Sequence, residues 1–327
     1  MILVTGATGF VGSSLVRLLL ARGEVVRVLV RPGSDRRNLT GLDVDIAEGD
    51  LLKPETLKAA VAGCQGLYHV AADYRLWTRN PDQMFEANVD GSQAIIRAAA
   101  DAGVWRMVYT SSVAVLGIIK GGVADEQTPV SYRDMIGVYK QSKFKAEEAV
   151  QKLIDDEGAP VVIVNPSTPI GPRDIKPTPT GRMIVEAAAG RMPAFVDTGL
   201  NIAHVDDVAA GHILAFDKGQ IGERYILGGT DMELSEILAH IAHLMNRKSP
   251  TLKIPHNAIL PIAYLAEAWT RISGGDDPFV LVDGVKMAKK KMFFSSAKAI
   301  RELGYQARPA GNALDDAVKW FQVEGYF

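Results

Sequence analysis

The sequence predicts a doubly wound α/β protein of Rossmann type, with a parallel sheet and a smaller C-terminal substrate-binding lobe. Three observations carry that expectation. Short β-branched runs alternate with longer helical patterns through the first half of the chain. Several of those runs are apolar almost throughout, as strands covered by helices on both faces must be. The first run also enters a turn whose glycines recur every third residue, directly before an amphipathic helix.

In chain order, strands are expected at 2–5, 25–30, 44–49, 66–70, 106–110 and 160–165, with helices at about 10–22, 54–62, 82–102 and 138–156 between them. The stretch NPSTPIGPRDIKPTPTG (165–181) is dense in proline and reads as largely extended loop. A strand signal returns at ERYILGG (223–229), and helical patterns fill the rest. The expected division assigns 1–165 plus 202–229 to dinucleotide binding, and 166–201 plus 230–327 to the lobe. The apolar segment 258–269, with Tyr264 and Trp269, reads as lobe core or as a face for a greasy ligand or membrane surface. The lysines of KMAKKKMFF (286–294) read as a solvated face before an anion contact.

The 327 residues, 47% of them hydrophobic, are ample for a full core, and a net charge of −2 gives no electrostatic reason to expect a nucleic-acid partner. The lone cysteine, Cys64, excludes an intrachain disulfide and suits a reducing compartment. Opening on the strand-like MILVTG leaves no room for a signal peptide, and no apolar run reaches the roughly 20 residues that span a bilayer. A cytoplasmic protein is expected.

In TGATGFVG the glycines Gly6, Gly9 and Gly12 allow a tight turn, close approach of a pyrophosphate and close helix–strand packing. With Thr8, Phe10 and Val11 they form the expected phosphate cradle at a helix N-terminus. The second strand ends on Arg31, with Arg36 and Arg37 shortly after. An acid there would bind ribose hydroxyls, whereas arginine attracts a 2′-phosphate, so NADP(H) is favoured. In the NAD(H) alternative Arg31 stacks on adenine. Asp50, with Leu51 beside it, follows the third strand, where its carboxylate would accept a bond from the adenine amino group.

YKQSK sets Tyr139 and Lys143 four residues apart, on one face of a helix. A phenol is a poor acid or base near neutrality until its anion is stabilised, and an ammonium one turn away supplies that. Ser112, with Ser111 as second choice, ends the fifth strand at the edge where ligands bind, in reach of a reacting carbonyl. Tyr74 and Trp77 of DYRLW are candidate substrate contacts. His204 with Asp206 and Asp207 reads as structural, an Asp capping the helix that starts there. His240 and His243 lack an evident third ligand, so no metal is expected.

These motifs, with ANVDG, NPSTPIGP and HVDDVA, resemble the extended short-chain dehydrogenase/reductase family in its own order over nearly the whole chain. AADYRLW, NPSTPIGPRDIKPTPTG and KKMFFSSAKA are similar to its hopanoid-associated sugar epimerases, a dihydroflavonol-reductase-like branch. The resemblance implies that Tyr139 is the acid/base, that Lys143 also holds the nicotinamide ribose, and that Ser112 orients the carbonyl. Ala71 and Ala72 would line the cofactor's path, Asn88 would support the site, and Pro166 and Ser167 would border the nicotinamide. Leu116 stands where many sugar epimerases and dehydratases of the family have tyrosine, which weakens a nucleotide-sugar substrate. The reading is an enzyme that reduces a carbonyl with NADPH, on a small or lipid-linked molecule such as a hopanoid side chain. An NAD-dependent nucleotide-sugar epimerase/dehydratase and a non-catalytic dinucleotide sensor are the alternatives. Helices 82–102 and 138–156 pair dimers in many relatives, so a homodimer is expected.

Overall fold

A computed structural model describes residues 1–273, 278 and 280–327. Its strands are β1 (Ile2–Thr5), β2 (Val26–Val30), β3 (Asp45–Glu48), β4 (Gly66–His69), β5 (Arg106–Thr110), β6 (Val161–Pro166), β7 (Thr168–Ile170), β8 (Ala194–Phe195), β9 (Gly199–His204), β10 (Arg224–Leu227), β11 (Thr230–Glu233) and β12 (Leu252–Lys253). The helices are α1 (Phe10–Ala21), α2 (Leu57–Val61), α3 (Pro81–Phe85), α4 (Gly91–Asp101), α5 (Gly137–Glu157), α6 (Pro179–Ala188), α7 (Val205–Lys218), α8 (Leu234–Leu244), α9 (His256–Ser273), α10 (Val282–Ala288), α11 (Ala297–Leu303) and α12 (Ala310–Val323).

Seven strands form one sheet in the order β10-β6-β5-β4-β1-β2-β3, each pair parallel. β6 shows why its strand reads as a continuous apolar run. Val162 and Val164 enter one core with α1 and α7, while Val161 and Ile163 enter the opposite core with α4 and α5. The chain leaves β1 for β2 and β3 on one side, then returns to place β4 on the other. That reversal opens a crevice at the carboxyl ends of β1 and β4, the place where such sheets bind ligands.

A third core gathers β7, β9, α6, α8 and α12 around Ile170, Ile184, Ile202, Ile237, Leu314 and Phe321. α11 instead contributes Ala299 and Leu303 to the core beneath α1 and α7. The proline-rich stretch is less irregular than expected. β7 pairs with β9, and α6 starts at Pro179, where a missing N–H costs nothing. The expected helix at 82–102 is interrupted by a π-helical turn at Glu86–Asp90.

The segment 258–269 is lobe core on one face only: Ala263 joins a small cluster with Val282 and Val285, and Ile259 and Leu260 pack against it. α9 also buries Ala266, and it turns its remaining bulky residues outward. Leu265, Trp269 and Ile272 are 72%, 70% and 82% exposed. Among the described residues no helix is long and apolar enough to cross a membrane.

Candidate active site

The glycine turn is glycine by necessity. Gly6 has φ of +71°, and a Cβ there would stand 2.6 Å from the Ala71 amide nitrogen. A Cβ on Gly12 would lie 2.2 Å from the Gly6 carbonyl oxygen. Gly9 is the N-cap of α1 and supplies no side-chain cap, so the first N–H groups stay open toward the crevice. Thr8, Phe10 and Val11 are half-buried around it. Asn38, which the sequence reading missed, ties this turn to the loop after β7: its Nδ2 donates to the Thr8 and Arg173 carbonyls at 3.2 and 3.1 Å.

Arg31 lies exposed just after β2, and its guanidinium makes no ion pair or hydrogen bond among the described residues. Arg36 is paired with Glu48 at 2.5 Å and Arg37 with Asp35 at 2.7 Å, so of the three arginines only Arg31 has its fork unspent. Asp50 uses Oδ1 to accept from the Leu52 amide at 3.1 Å, and Leu51 rests against Gly91.

Tyr139 and Lys143 occupy the first two turns of α5, and Ser112, two residues past β5, caps a short 3-10 turn. Ser112 Oγ accepts from the Ala114 amide at 3.1 Å. Burial raises the Tyr139 pKa above the ordinary phenol value, and the Ser112 hydroxyl, close enough to act on the phenol, offsets part of that rise. Lys143 is buried and donates to Tyr109 Oη and the Thr110 carbonyl, both at 2.9 Å. Desolvation pushes it down to about 8, against the opposing pull of Glu147. Ser112 is therefore the side chain that steadies the phenol here, while the lysine rests on Tyr109.

Asn88 sits in the π-helical turn, and the widened turn aims its amide at two elements at once. Nδ2 donates to the Asp73 carbonyl and to Ser142 Oγ, both at 2.9 Å, and Oδ1 accepts from the Asp73 amide at 2.7 Å. The loop after β4, carrying Ala71 and Ala72, is thereby fastened to the helix that carries Tyr139.

Pro166 closes β6 in register with Leu227. Ser111 and Ser167, on neighbouring strand ends, each keep a buried hydroxyl with no partner. Orphaned hydroxyls beside a glycine cradle fit a polar group such as the carboxamide of a nicotinamide. The residues present therefore suit a dinucleotide. Tyr74 is 43% exposed and lies within electrostatic reach of Asp174 and Arg182. Trp77 packs under the Arg79 guanidinium at 5.8 Å. Asp174, also missed from sequence, is buried; desolvation lifts it to about 6 although Thr178 donates two bonds to it.

The capping expectation at 204–207 is corrected. His204 itself caps α7 through Nδ1, which accepts from the Asp206 amide at 3.0 Å, because both acids are drawn elsewhere. Asp206 pairs with Arg173, and Asp207 with Arg308. His240 bonds Asp315 at 2.7 Å.

The sequence profile of the NAD dependent epimerase/dehydratase family matches residues 2–228. The chain belongs to this family. It is 45% identical to a Synechocystis protein named "Putative dihydroflavonol 4-reductase", over 99% of this chain and 95% of that one. It is 36% identical to sterol demethylase protein B of Methylococcus capsulatus, over 99% and 98% of the two chains. The crystal structure of gox2253 superposes with a TM-score of 0.90 at 51% identity, covering 100% of this chain and 99% of that one. As a member of the family the protein is an NAD(P)-dependent enzyme of the reductase, epimerase and dehydratase group, with the seven-stranded Rossmann sheet the sequence led us to expect.

Proposed function

We propose that the protein is an NADPH-dependent reductase of a ketone or aldehyde on a bulky, lipid-like skeleton, a hopanoid side chain being one such substrate. The observation that carries the reading is Arg31, an unpaired guanidinium where the cofactor's 2′-position is expected. The names of two relatives, a dihydroflavonol reductase and a sterol-processing protein, support carbonyl reduction on a polycyclic framework. Leu116, buried among Val113, Val115 and Phe294, gives no tyrosine hydroxyl to a sugar.

When bound, NADPH supplies the hydride. Tyr139, kept protonated at neutral pH by its burial, donates the proton that the reduced carbonyl oxygen needs. The Ser112 hydroxyl orients that oxygen. Lys143, held by Tyr109 and the Thr110 carbonyl, turns its third N–H to the ribose and presents its charge to the phenol as the proton leaves. Gly6, Thr8, Gly9, Phe10, Val11 and Gly12 cradle the pyrophosphate, with Ala71 and Ala72 along its path. Asp50 and Leu51 take the adenine end, Arg36 adds a second phosphate contact on release from Glu48, and Pro166 and Ser167 border the nicotinamide. Tyr74 and Trp77 cover the substrate in the lobe formed by 166–201 and 230–327, with 1–165 and 202–229 holding the cofactor. The reading includes a homodimer built on α4 and α5 and residence in the cytoplasm.

The test is the dinucleotide content of the purified protein, then fluorescence titration with NADPH and NADH. Weak retention with NADPH clearly tighter supports the proposal. Arg31→Glu is expected to reverse the preference by costing NADPH about tenfold or more. Stoichiometric, non-exchanging NAD would instead favour the epimerase alternative, in which one cofactor oxidises and re-reduces a single bound sugar.

A further inference from the structure

α9 leaves a row of large apolar side chains without cover. Ile262, Leu265, Trp269 and Ile272 follow one another at spacings of three and four, so they lie along one side of the helix. All four are exposed, and Tyr264, to one side of the row, is exposed as well. Among the described residues no other helix exposes more than one large apolar side chain. The opposite side of α9 is covered: Ala263 packs on Val282 and Val285 of α10, with Ile259 and Leu260 against the same cluster. The outward row is therefore separate from the lobe core. A single exposed leucine needs no explanation, whereas a contiguous row of this kind marks a docking surface.

The charge beside that row says what docks there. From Arg247 to Lys291 the chain carries eight Lys and Arg against four Asp and Glu, although the whole chain stands at −2. Two contacts bring the lysine run to the head of α9. Lys289 Nζ donates to Asn257 Oδ1 at 2.8 Å, and His256 Nε2 donates to the Ala288 carbonyl at 3.0 Å. Asn257, Pro261, Leu265 and Trp269 are spaced four apart, so the ridge that seats Lys289 runs on into the apolar row. Lys286 and Lys291 are paired with Asp283 and Glu233. The Lys289 ammonium has only the neutral amide, and the Lys290 ammonium makes no hydrogen bond or ion pair among the described residues; both are exposed. Apolar side chains that enter an acyl boundary, tryptophan and tyrosine at the headgroup level and lysines on anionic headgroups are what a bilayer surface accepts. A second copy of this surface would carry the same positive excess, so self-association gains nothing from the lysines, whereas anionic lipid does.

We propose that α9 is a membrane-docking helix. It lies in the plane of a bilayer that contains anionic phospholipid, with Ile262, Leu265, Trp269 and Ile272 in the acyl boundary and Lys289 and Lys290 on the headgroups. The attachment is peripheral, since no helix among the described residues is long and apolar enough to cross. The proposal stands on this surface alone and does not rest on the reductase reading.

The experiment is co-sedimentation of the intact chain with vesicles of phosphatidylcholine alone, and of phosphatidylcholine mixed with phosphatidylglycerol. Binding to the mixed vesicles is expected, with clearly weaker binding to the neutral ones. Leu265→Ser combined with Ile272→Ser, at positions too exposed to disturb folding, should weaken binding by about tenfold or more. Lys289→Glu combined with Lys290→Glu should weaken binding to the mixed vesicles by about tenfold or more, and leave binding to the neutral ones within about threefold. Trp269→Phe should keep binding within about threefold while removing most of the blue shift that vesicles produce in the tryptophan fluorescence. A wild-type chain that stays in the supernatant with mixed vesicles overturns the proposal, as does equal binding to both vesicle types. Binding that survives the Leu265→Ser and Ile272→Ser pair overturns it too, because charge alone would then suffice. A soluble dimer that this pair splits in sedimentation velocity, without vesicle binding, would assign the ridge to a second copy and likewise overturn it.

Discussion

Tyr109→Phe removes one oxygen from beneath Lys143 and little else. The phenyl ring stays, and with it the packing and the ring face that lies 4.6 Å from the ammonium. What goes is one of the two acceptors that Lys143 has, the other being the Thr110 carbonyl. A hydrogen bond to a charged group contributes about 1.5–3 kcal/mol, and roughly 1.4 kcal/mol corresponds to one pH unit. Losing an acceptor disfavours the protonated amine, so the Lys143 pKa should fall from about 8 by roughly one unit or more. Reduction needs the ammonium charge, so activity should hold at low pH and decline as pH rises through that value. The alkaline limb of the kcat/KM profile should therefore sit near pH 8 in the wild type and move toward neutrality in Tyr109→Phe. Steady-state NADPH oxidation across pH 6–9.5 measures both limbs on one carbonyl substrate. An alkaline limb that stays in place, with activity at pH 8 unchanged, would refute the claim that Tyr109 sets the lysine.

Tyr139→Phe should lower kcat by about 10²–10⁴-fold while NADPH affinity stays near wild type, which separates proton donation from binding; an active variant would remove Tyr139 from the chemistry. Gly12→Ala forces a methyl into the 2.2 Å gap at the Gly6 carbonyl. It should cost about 1–3 kcal/mol of stability in a denaturant titration and weaken the cofactor with it. Acid should destabilise the fold before carboxylates titrate fully. Burial holds His69 down to about 3 and His212 to about 4, whereas the unfolded chain takes those protons near 6.5. Each therefore costs stability as pH falls below 6.5. Asp174 opposes them, since its folded value of about 6 exceeds the unfolded 3.8, so it costs stability as pH rises through that window. Two groups against one leave a net loss of about 1.4 kcal/mol per pH unit on acidification. A melting temperature at pH 4.5 equal to that at pH 6.5 would contradict this.

Sequence periodicity located the sheet well because the signal is local. The runs at 2–5 and 106–110 are the strands themselves, and the glycine spacing at 6–12 reports a turn that no other residue type can make. What escaped depends on partners far along the chain. The π-helical turn at Asn88 is held by Asp73 and Ser142, and nothing in EANVD announces an extra residue per turn. Asp206 would have capped α7 by local rules, but Arg173 claims it. α9 misled because hydrophobicity marks an apolar helix without saying which face is covered. Its alanines face inward with Ile259 and Leu260, while Leu265, Trp269 and Ile272 face out. Lys143 was legible as a charge beside Tyr139, whereas its bonds to Tyr109 and Thr110 required the register of β5 against α5.

That register explains why polar groups line a sheet edge that is otherwise apolar. Thr5 of β1 pairs with His69 of β4, and His69 with Tyr109 of β5, so the three side chains stand in one row across the strand ends. Their hydrogen bonds have a single consistent direction. Ser92 Oγ donates to the Asn88 carbonyl at 2.6 Å, so it must accept from His69 Nε2 at 2.9 Å. His69 Nδ1 is then the bare nitrogen and accepts from Thr5 Oγ1 at 2.7 Å, which leaves Thr5 to accept from the Ala71 amide at 3.2 Å. A second proton on His69 would face the Thr5 hydroxyl proton and break the row, which agrees with burial holding the imidazole neutral. The row ends at both elements the cofactor must pass, the Ala71 loop and the Asn88 turn. Replacing it with apolar residues would fill the same space but take from the Ala71 amide the Thr5 hydroxyl it donates to. The polar row is therefore what fixes the loop over the crevice at the height the glycine turn requires.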